Sequence, residues 1–359
     1  MRGAVCYQFG EPLVIEDLEL DPPASGAITV RVAACGVCHS DIHFIDGARG
    51  GPLPALYGHE IAGVVSGVGP GVSELLLGQR VVASLIRRCG TCPFCRRGQS
   101  FLCSGTFALD SEPHITGPRG PVKPAMNTGG FAEYVTVDQS QIVAIPSDIP
   151  FPVASLLACG VITGYGAVTK TASVAGGSSV VVIGTGGVGL NAIQGAVAVG
   201  ADPLIAVDIV DDKLEVARSF GATETVNSSE GDPGAAVRDL TKGQGADYAF
   251  VTVGIGPVIA QAIDMIRPGG TVVLVGLPAD GVMVPAEAAN LASYAKSIIG
   301  SKMGSSTIAN DIPHLIDEYR ARRLKLDELV SGEFSLDNIN EAIDGARQGS
   351  ALRNVIVFD

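Results

Sequence analysis

Near residue 160 the chain changes rhythm, and that change limits the folds open to it. Beyond it, short apolar runs (SSVVVIG, PLIAVD, YAFVTV, TVVLVG) alternate with helix-length segments such as VGLNAIQGAVAVG and DKLEVARSFG. Parallel strands need crossovers long enough to hold a helix, so this alternation predicts a parallel sheet wrapped by helices. Before it, residues 1 to about 150 carry shorter, alternating segments: ITVRVAACG, EIAGVVSGVG, RVVASLI, FAEYVTV and QIVAIP. Gly10, Pro22, Pro23, Gly71 and Pro146 separate them, and the pattern predicts a barrel-like or sandwich β domain. After about residue 300, DIPHLIDEYRARR, NINEAIDGARQG and RNVIVF do not extend the βα pattern. They read as the chain returning to complete the first domain, with the βα domain inserted in it.

A length of 359 residues suits roughly two domains, and 47% hydrophobic against 17% charged residues is ample for a large core. A net charge of −13 with no basic block argues against a nucleic-acid partner. Acidic residues interrupt the apolar positions of MRGAVCYQFGEPLVIEDLEL, so no secretory signal is expected. The apolar runs VVVIG and TVVLVG are too short to cross a bilayer. The expectation is a cytoplasmic protein with no membrane association, whose eight cysteines serve metal and reduced-thiol chemistry.

Cys89, Cys92, Cys95 and Cys103 lie in RRCGTCPFCRRGQSFLC, spaced Cys-x2-Cys-x2-Cys-x7-Cys. Four thiolates this close can share a tetrahedral zinc in a closed site that leaves no position for substrate. An iron–sulfur cluster uses related but different spacings, and paired disulfides require an oxidising compartment; both stand as alternatives. Cys38, His59 and Cys159 stand apart from this run, and each alone reads equally as a buried thiol or a core histidine.

The segment G-T-G-G-V-G, with Gly184, Gly186, Gly187, Val188 and Gly189, follows one apolar strand and opens a helix. Gly184 permits a tight turn, Gly186 lets backbone approach a pyrophosphate, and Gly189 lets the helix pack on the sheet. The helix N-terminus then offers N–H groups and partial positive charge to phosphate. Asp208 ends the next strand, 19 residues after Gly189, where its carboxylate can accept both adenosine ribose hydroxyls. Its charge would repel a 2′-phosphate, which favours NAD over NADP. A glycine-rich turn with a surface aspartate is the alternative. Lys213 either reaches the ribose or is a solvated helix lysine.

Taken in order, GVCHSD, GHE, the four-cysteine run, ACG-x-x-TGY, GTGGVG, Asp208 and the terminal LRNVIVF resemble the zinc-dependent medium-chain alcohol dehydrogenases over nearly the whole chain. The resemblance implies a GroES-like β-rich catalytic domain of residues 1–158 and 302–359, with a structural-zinc lobe at 87–104. A Rossmann NAD-binding domain of residues 159–301 would lie between its halves. It also implies two zinc ions per subunit, one closed and one catalytic on Cys38, His59 and Cys159, the Cys2His ligation established for alcohol dehydrogenases. Cysteine rather than glutamate at 159 favours the alcohol dehydrogenase branch over the sorbitol and threonine branches. Asp41 is implied to orient His59, and Glu60 to lie behind the metal and assist ligand exchange. For both, an ordinary salt bridge or cap is the alternative. Ser40 and His43 match proton-relay positions, Arg353 a pyrophosphate contact, and Thr163 a position beside the nicotinamide.

The function expected is NAD-dependent interconversion of a primary or simple secondary alcohol and its aldehyde or ketone. The alternatives are a thiol-dependent formaldehyde dehydrogenase and a catalytically silent nucleotide-binding protein of the same fold. A short stretch after Cys103 implies a homo-oligomer, a tetramer in preference to a dimer. Leu85, Arg49 and Lys302 align near pocket-lining positions, and surface placement is the reading preferred for Arg49 and Lys302.

Overall fold

The strand Val180–Ile183 is buried at every position, as its unbroken apolar run requires. In the computed structural model, which describes residues 1–72, 77–110, 113–349 and 351–359, it lies inside a six-stranded sheet. The strand order is Glu224–Asn227, Leu204–Asp208, Val180–Ile183, Ala246–Val251, Ile266–Leu274 and Ser297–Gly300, and every neighbouring pair is parallel. The chain therefore winds outward in one direction from Val180–Ile183, then returns and winds out the other way. A doubly wound sheet of this order leaves a crevice at the carboxyl ends of the strands where the direction reverses. The turn at that point is built from glycines for steric reasons. Gly184 has φ +89, and a Cβ on Gly189 would stand 1.9 Å from the Gly184 carbonyl oxygen. Helix Gly187–Ala198 can start directly after the strand because neither side chain is present.

A separate seven-stranded sheet runs Ile142–Ala144, Arg80–Ala83, Glu60–Val68, Ala27–Gly36, Arg353–Val357 and Val330–Phe334, with Tyr134–Asp138 also pairing Ala27–Gly36, and smaller sheets of four and three strands accompany it. The terminal strand Arg353–Val357 pairs antiparallel with Ala27–Gly36, placing Val355 opposite Gly36 and Ile356 opposite Cys35. The C-terminal segment thus completes the first sheet, as expected. Helix Ile339–Arg347 buries Ile339, Ala342, Ile343 and Ala346, an i, i+3, i+4, i+7 stripe. Those residues join Ile28, Val30, Ile61, Phe131 and Ile356 in one core.

The chain separates into two units, each with its own core. The first holds Met1–Gly160, Thr307–Arg322 and Leu326–Asp359; the second holds Val161–Ser306 and Arg323–Lys325. The expected boundaries at 158/159 and 301/302 shift accordingly. Cys159 belongs to the first unit, and residues 302–306 to the second. The second shift has a local cause: Ser305 Oγ hydrogen-bonds Thr171 Oγ1 at 2.8 Å, and Ser306 Oγ donates to the Ile162 carbonyl at 3.3 Å. Residues 323–325 join the same unit because Gln194 bonds both the N–H and the carbonyl of Lys325, at 2.6 and 3.1 Å. Among the described residues one helical run, Phe151–Thr171, is long and apolar enough to cross a membrane, which attention to the short strands overlooked. Of its apolar window 83% is buried inside the protein, as in a core helix.

The glycine turn yields a contrast in stability. Gly189→Ala forces a methyl into a carbonyl oxygen and should cost about 2–3 kcal/mol. Gly186→Ala enters open space at φ −73 and should cost under about 1 kcal/mol, the penalty of alanine at a helix cap. Denaturant midpoints of the two variants test this, and equal shifts would refute the steric account.

Candidate metal and cofactor sites

Asp41 organises the first site. Cys38 caps the N-terminus of helix His39–Ile45, and Asp41 in its first turn accepts the Cys38 N–H at 3.3 Å. The other carboxylate oxygen accepts the Gly58 N–H and the His59 Nδ1–H, both at 2.9 Å. One buried carboxylate thereby joins GVCHSD to GHE. Because Nδ1 is engaged, Nε2 is the ring atom left to bind a metal, and it is buried with no hydrogen-bond partner.

The third segment arrives in the helical run 151–171. Helix Phe151–Leu156 gives way to a π-type turn, Leu157–Val161, that carries Cys159. Such turns concentrate at functional sites because the widened backbone re-aims a side chain. Ser84 Oγ donates to the Ala158 carbonyl at 2.7 Å and holds the turn against the end of strand Arg80–Ala83. Gly160 leaves room there for Arg353: a Cβ would lie 1.8 Å from Arg353 Nη2 and push the guanidinium aside.

The result is a cluster of Cys38, His59, Glu60 and Cys159, all buried, with candidate ligand atoms within 4.8 Å of one another. A hydrogen bond from Cys159, opposed by burial, holds Cys38 well below the usual thiol range, and His59 adds to the lowering. Burial pushes Glu60 up to about 7 against the pull of Arg353. Buried thiolate and carboxylate charge needs a cation, and two sulfurs with an imidazole nitrogen suit zinc. Glu60 Oε1 accepts the Gly160 N–H at 3.0 Å and ion-pairs with Arg353 at 3.2 Å, while Oε2 has no hydrogen-bond partner. Arg353, implied as a pyrophosphate contact, is engaged within this unit on Glu60 and on the Val37 carbonyl at 3.3 Å.

The four-cysteine run forms a second cluster, with all four sulfurs within 4.8 Å. Cys89 and Cys95 sulfurs are 4.0 Å apart, as are those of Cys92 and Cys103. Disulfide sulfurs would stand at about 2.05 Å. Sulfurs bound ~2.3 Å from a shared tetrahedral centre stand ~3.8 Å apart, close to what is observed. Backbone N–H groups of Cys89, Cys92, Cys95 and Gly105 donate to these sulfurs at 3.3–3.4 Å, the local support that thiolates need. The Cys95 N–H bond is the main cause holding Cys92 down to about 6.

In the second unit the turn after Val180–Ile183 leaves room for a phosphate group. A Cβ on Gly186 would meet nothing within 4 Å, and helix Gly187–Ala198, with Gly187, Val188 and Gly189 in its first turn, begins there. Asp208 was expected to accept both ribose hydroxyls. Here Oδ2 accepts the N–H and hydroxyl of Thr185 at 2.8 and 2.9 Å, and Oδ1 accepts the N–H groups of Ile209 and Val210 at 2.8 and 3.3 Å. Lys213 sits half-buried in the first turn of helix Asp211–Ser219. Thr163 is buried, and its hydroxyl donates to Met303 Sδ at 3.7 Å.

Ser40 and His43 share helix His39–Ile45 with Asp41; both are half-buried, and His43 Nδ1 is buried with no hydrogen-bond partner. Lys302 is exposed, whereas Arg49 and Leu85 are half-buried. Sequence reasoning missed Ser84 and Thr185. Thr185 lies inside the glycine motif, where a hydroxyl beside the turn was a usable signal; nothing in the sequence singles out Ser84.

Comparison with known proteins agrees with this arrangement. The "Alcohol dehydrogenase GroES-like domain" family matches residues 24–147, and the "Zinc-binding dehydrogenase" family matches residues 187–320. An NDMA-dependent alcohol dehydrogenase of Amycolatopsis methanolica is 38% identical, covering 99% of this chain and 98% of its own. A solved benzyl alcohol dehydrogenase from Acinetobacter calcoaceticus superposes with a TM-score of 0.94 at 31% identity, covering 100% and 99% of the two chains. An alcohol dehydrogenase zinc-binding domain protein from Burkholderia ambifaria superposes with a TM-score of 0.94 at 33% identity, covering 100% and 98%. With the GroES-like and doubly wound units both present, the chain belongs to the zinc-dependent medium-chain alcohol dehydrogenases.

Proposed function

We propose that the protein is an NAD-dependent alcohol dehydrogenase with two zinc ions per subunit. It interconverts a primary or simple secondary alcohol and its aldehyde or ketone by hydride transfer. The observation that carries this reading is the buried Cys38–His59–Cys159 cluster, with His59 Nε2 lacking a hydrogen-bond partner, alongside a separate four-thiol cluster. Zinc, when bound, supplies Lewis acidity that lowers the pKa of a coordinated hydroxyl, and NAD supplies the hydride acceptor. Cys38, His59 and Cys159 would hold the catalytic ion, and Asp41 fixes the ring of His59. Ser40 takes the alcohol proton, and His43 passes it toward solvent. The glycine turn and helix Gly187–Ala198 receive the pyrophosphate, and Asp208 receives the adenosine ribose.

The relative named NDMA-dependent supports a second reading of the electron acceptor, in which turnover needs an external acceptor besides NAD. A panel of aliphatic, allylic and benzylic alcohols assayed with NAD, with NADP, and with NAD plus NDMA separates the two. Turnover with NAD alone, and a lower kcat/KM with NADP, is the expected result. Activity only when NDMA is added would establish the second reading, and a preference for NADP would refute the role of Asp208.

Metal analysis should find two zinc ions per subunit. Cys92→Ser should lose one and impair folding, since closed zinc sites carry about 10–16 kcal/mol of apparent binding free energy. Cys159→Ala should stay folded and bind NAD but barely turn over. A single zinc in fully active enzyme would sink the assignment.

The relay predicts unequal effects. Ser40→Ala should lower kcat by about 10²-fold or more, the scale of a lost acid–base step. His43→Gln should cost less, because water and buffer bases can replace a half-exposed imidazole, and added buffer should partly restore the rate. If His43→Gln leaves both rate and pH profile unaltered, protons leave by another route.

A further inference from the structure

A carboxylate offers about four lone-pair sites, two on each oxygen. At Asp208 the chain's own donors occupy all four, but not equally. Both donors to Oδ2 come from Thr185, at 2.8 and 2.9 Å, and Thr185 is fully buried. A ligand that displaced the Thr185 hydroxyl would leave it buried and unpaired, which is costly. Oδ1 differs. Its bond from Ile209 N–H is short at 2.8 Å, whereas the contact from Val210 N–H is long at 3.3 Å. The two bonds to Oδ1 are exposed, whereas the two to Oδ2 are partly buried. The weak contact is the one a ribose hydroxyl can replace without stranding a buried group.

We propose that Thr185 is a positioning residue that turns Oδ2 of Asp208 inward, so that Oδ1 alone reads the adenosine ribose and one of its two hydroxyls is recognised. This rests on the NAD reading above. It departs from the bidentate contact expected of such an aspartate, and it assigns the difference to the two donors of Thr185, of which the hydroxyl is the one a substitution can remove.

Calorimetric titration of the zinc-loaded, full-length enzyme with NAD, 2′-deoxy-NAD and 3′-deoxy-NAD tests it without turnover. In the wild type one deoxy analogue should bind about tenfold or more weakly than NAD, the scale of one hydrogen bond to a charged group, and the other within about twofold. Thr185→Val removes the hydroxyl at nearly constant volume and frees Oδ2 for a second contact. Both deoxy analogues should then lose affinity relative to NAD. Thr185→Ser keeps the hydroxyl and should keep the wild-type pattern, which separates the effect from a packing change. Equal losses for both analogues in the wild type, or an unchanged pattern in Thr185→Val, would overturn the proposal while leaving the NAD reading intact. Failure of the wild type to bind NAD would overturn both.

Discussion

A carboxylate with no exposed surface must meet donors on every side, and Asp41 is such a group. Its bonds to Cys38 N–H, Gly58 N–H and His59 Nδ1–H are what bring the helix-cap cysteine and the strand-entry histidine to one place. The geometry of the buried cluster follows from that anchor. His59 can present only Nε2, Glu60 follows it onto strand Glu60–Val68, and the register of that strand against Ala27–Gly36 sets Glu60 opposite Gly36. Side-chain charge here specifies backbone position, and the backbone in turn aims the ligands.

The same device recurs in the second unit. Asp208 bonds the backbone of its own strand end and of the Thr185 turn on the neighbouring strand. It ties two parallel strands together at their carboxyl ends, where the ladder stops and backbone donors would otherwise lack partners. Each unit therefore uses one aspartate to finish local structure beside its candidate site. Loss of either charge would act on fold and chemistry together.

Much of this was legible in the residues. Continuous apolar runs marked the parallel strands, alternation marked the strands of the first sheet, and cysteine spacing marked the four-thiol lobe. The terminal RNVIVF read as a returning strand, and it pairs with Ala27–Gly36. What could not be read was set by contacts distant in sequence. The π-type turn at Leu157–Val161 leaves no mark in an apolar helical pattern. The Ser84 bond to Ala158 spans 74 positions, and Arg353 meets Glu60 across nearly the whole chain. Periodicity reports which face of an element is buried. It does not report which polar group will lie beneath that face.

The interior position of the last strand has a further consequence for synthesis. Arg353–Val357 lies between Ala27–Gly36 and Val330–Phe334, and Arg353 stands beside Glu60 in the buried cluster. The first unit cannot close its sheet until Arg353–Val357 has left the ribosome. The second unit is one continuous stretch from Val161 to Ser306 apart from three residues, and can assemble while the chain is still growing. The amino-terminal half must therefore wait, with Cys38 and His59 already made, for an inserted unit that can fold before it. Tyr134–Asp138 pairs the Ala27–Arg31 part of strand Ala27–Gly36, but until Arg353–Val357 is made the Ala34–Gly36 end stays open, a template for mispairing that this strand removes.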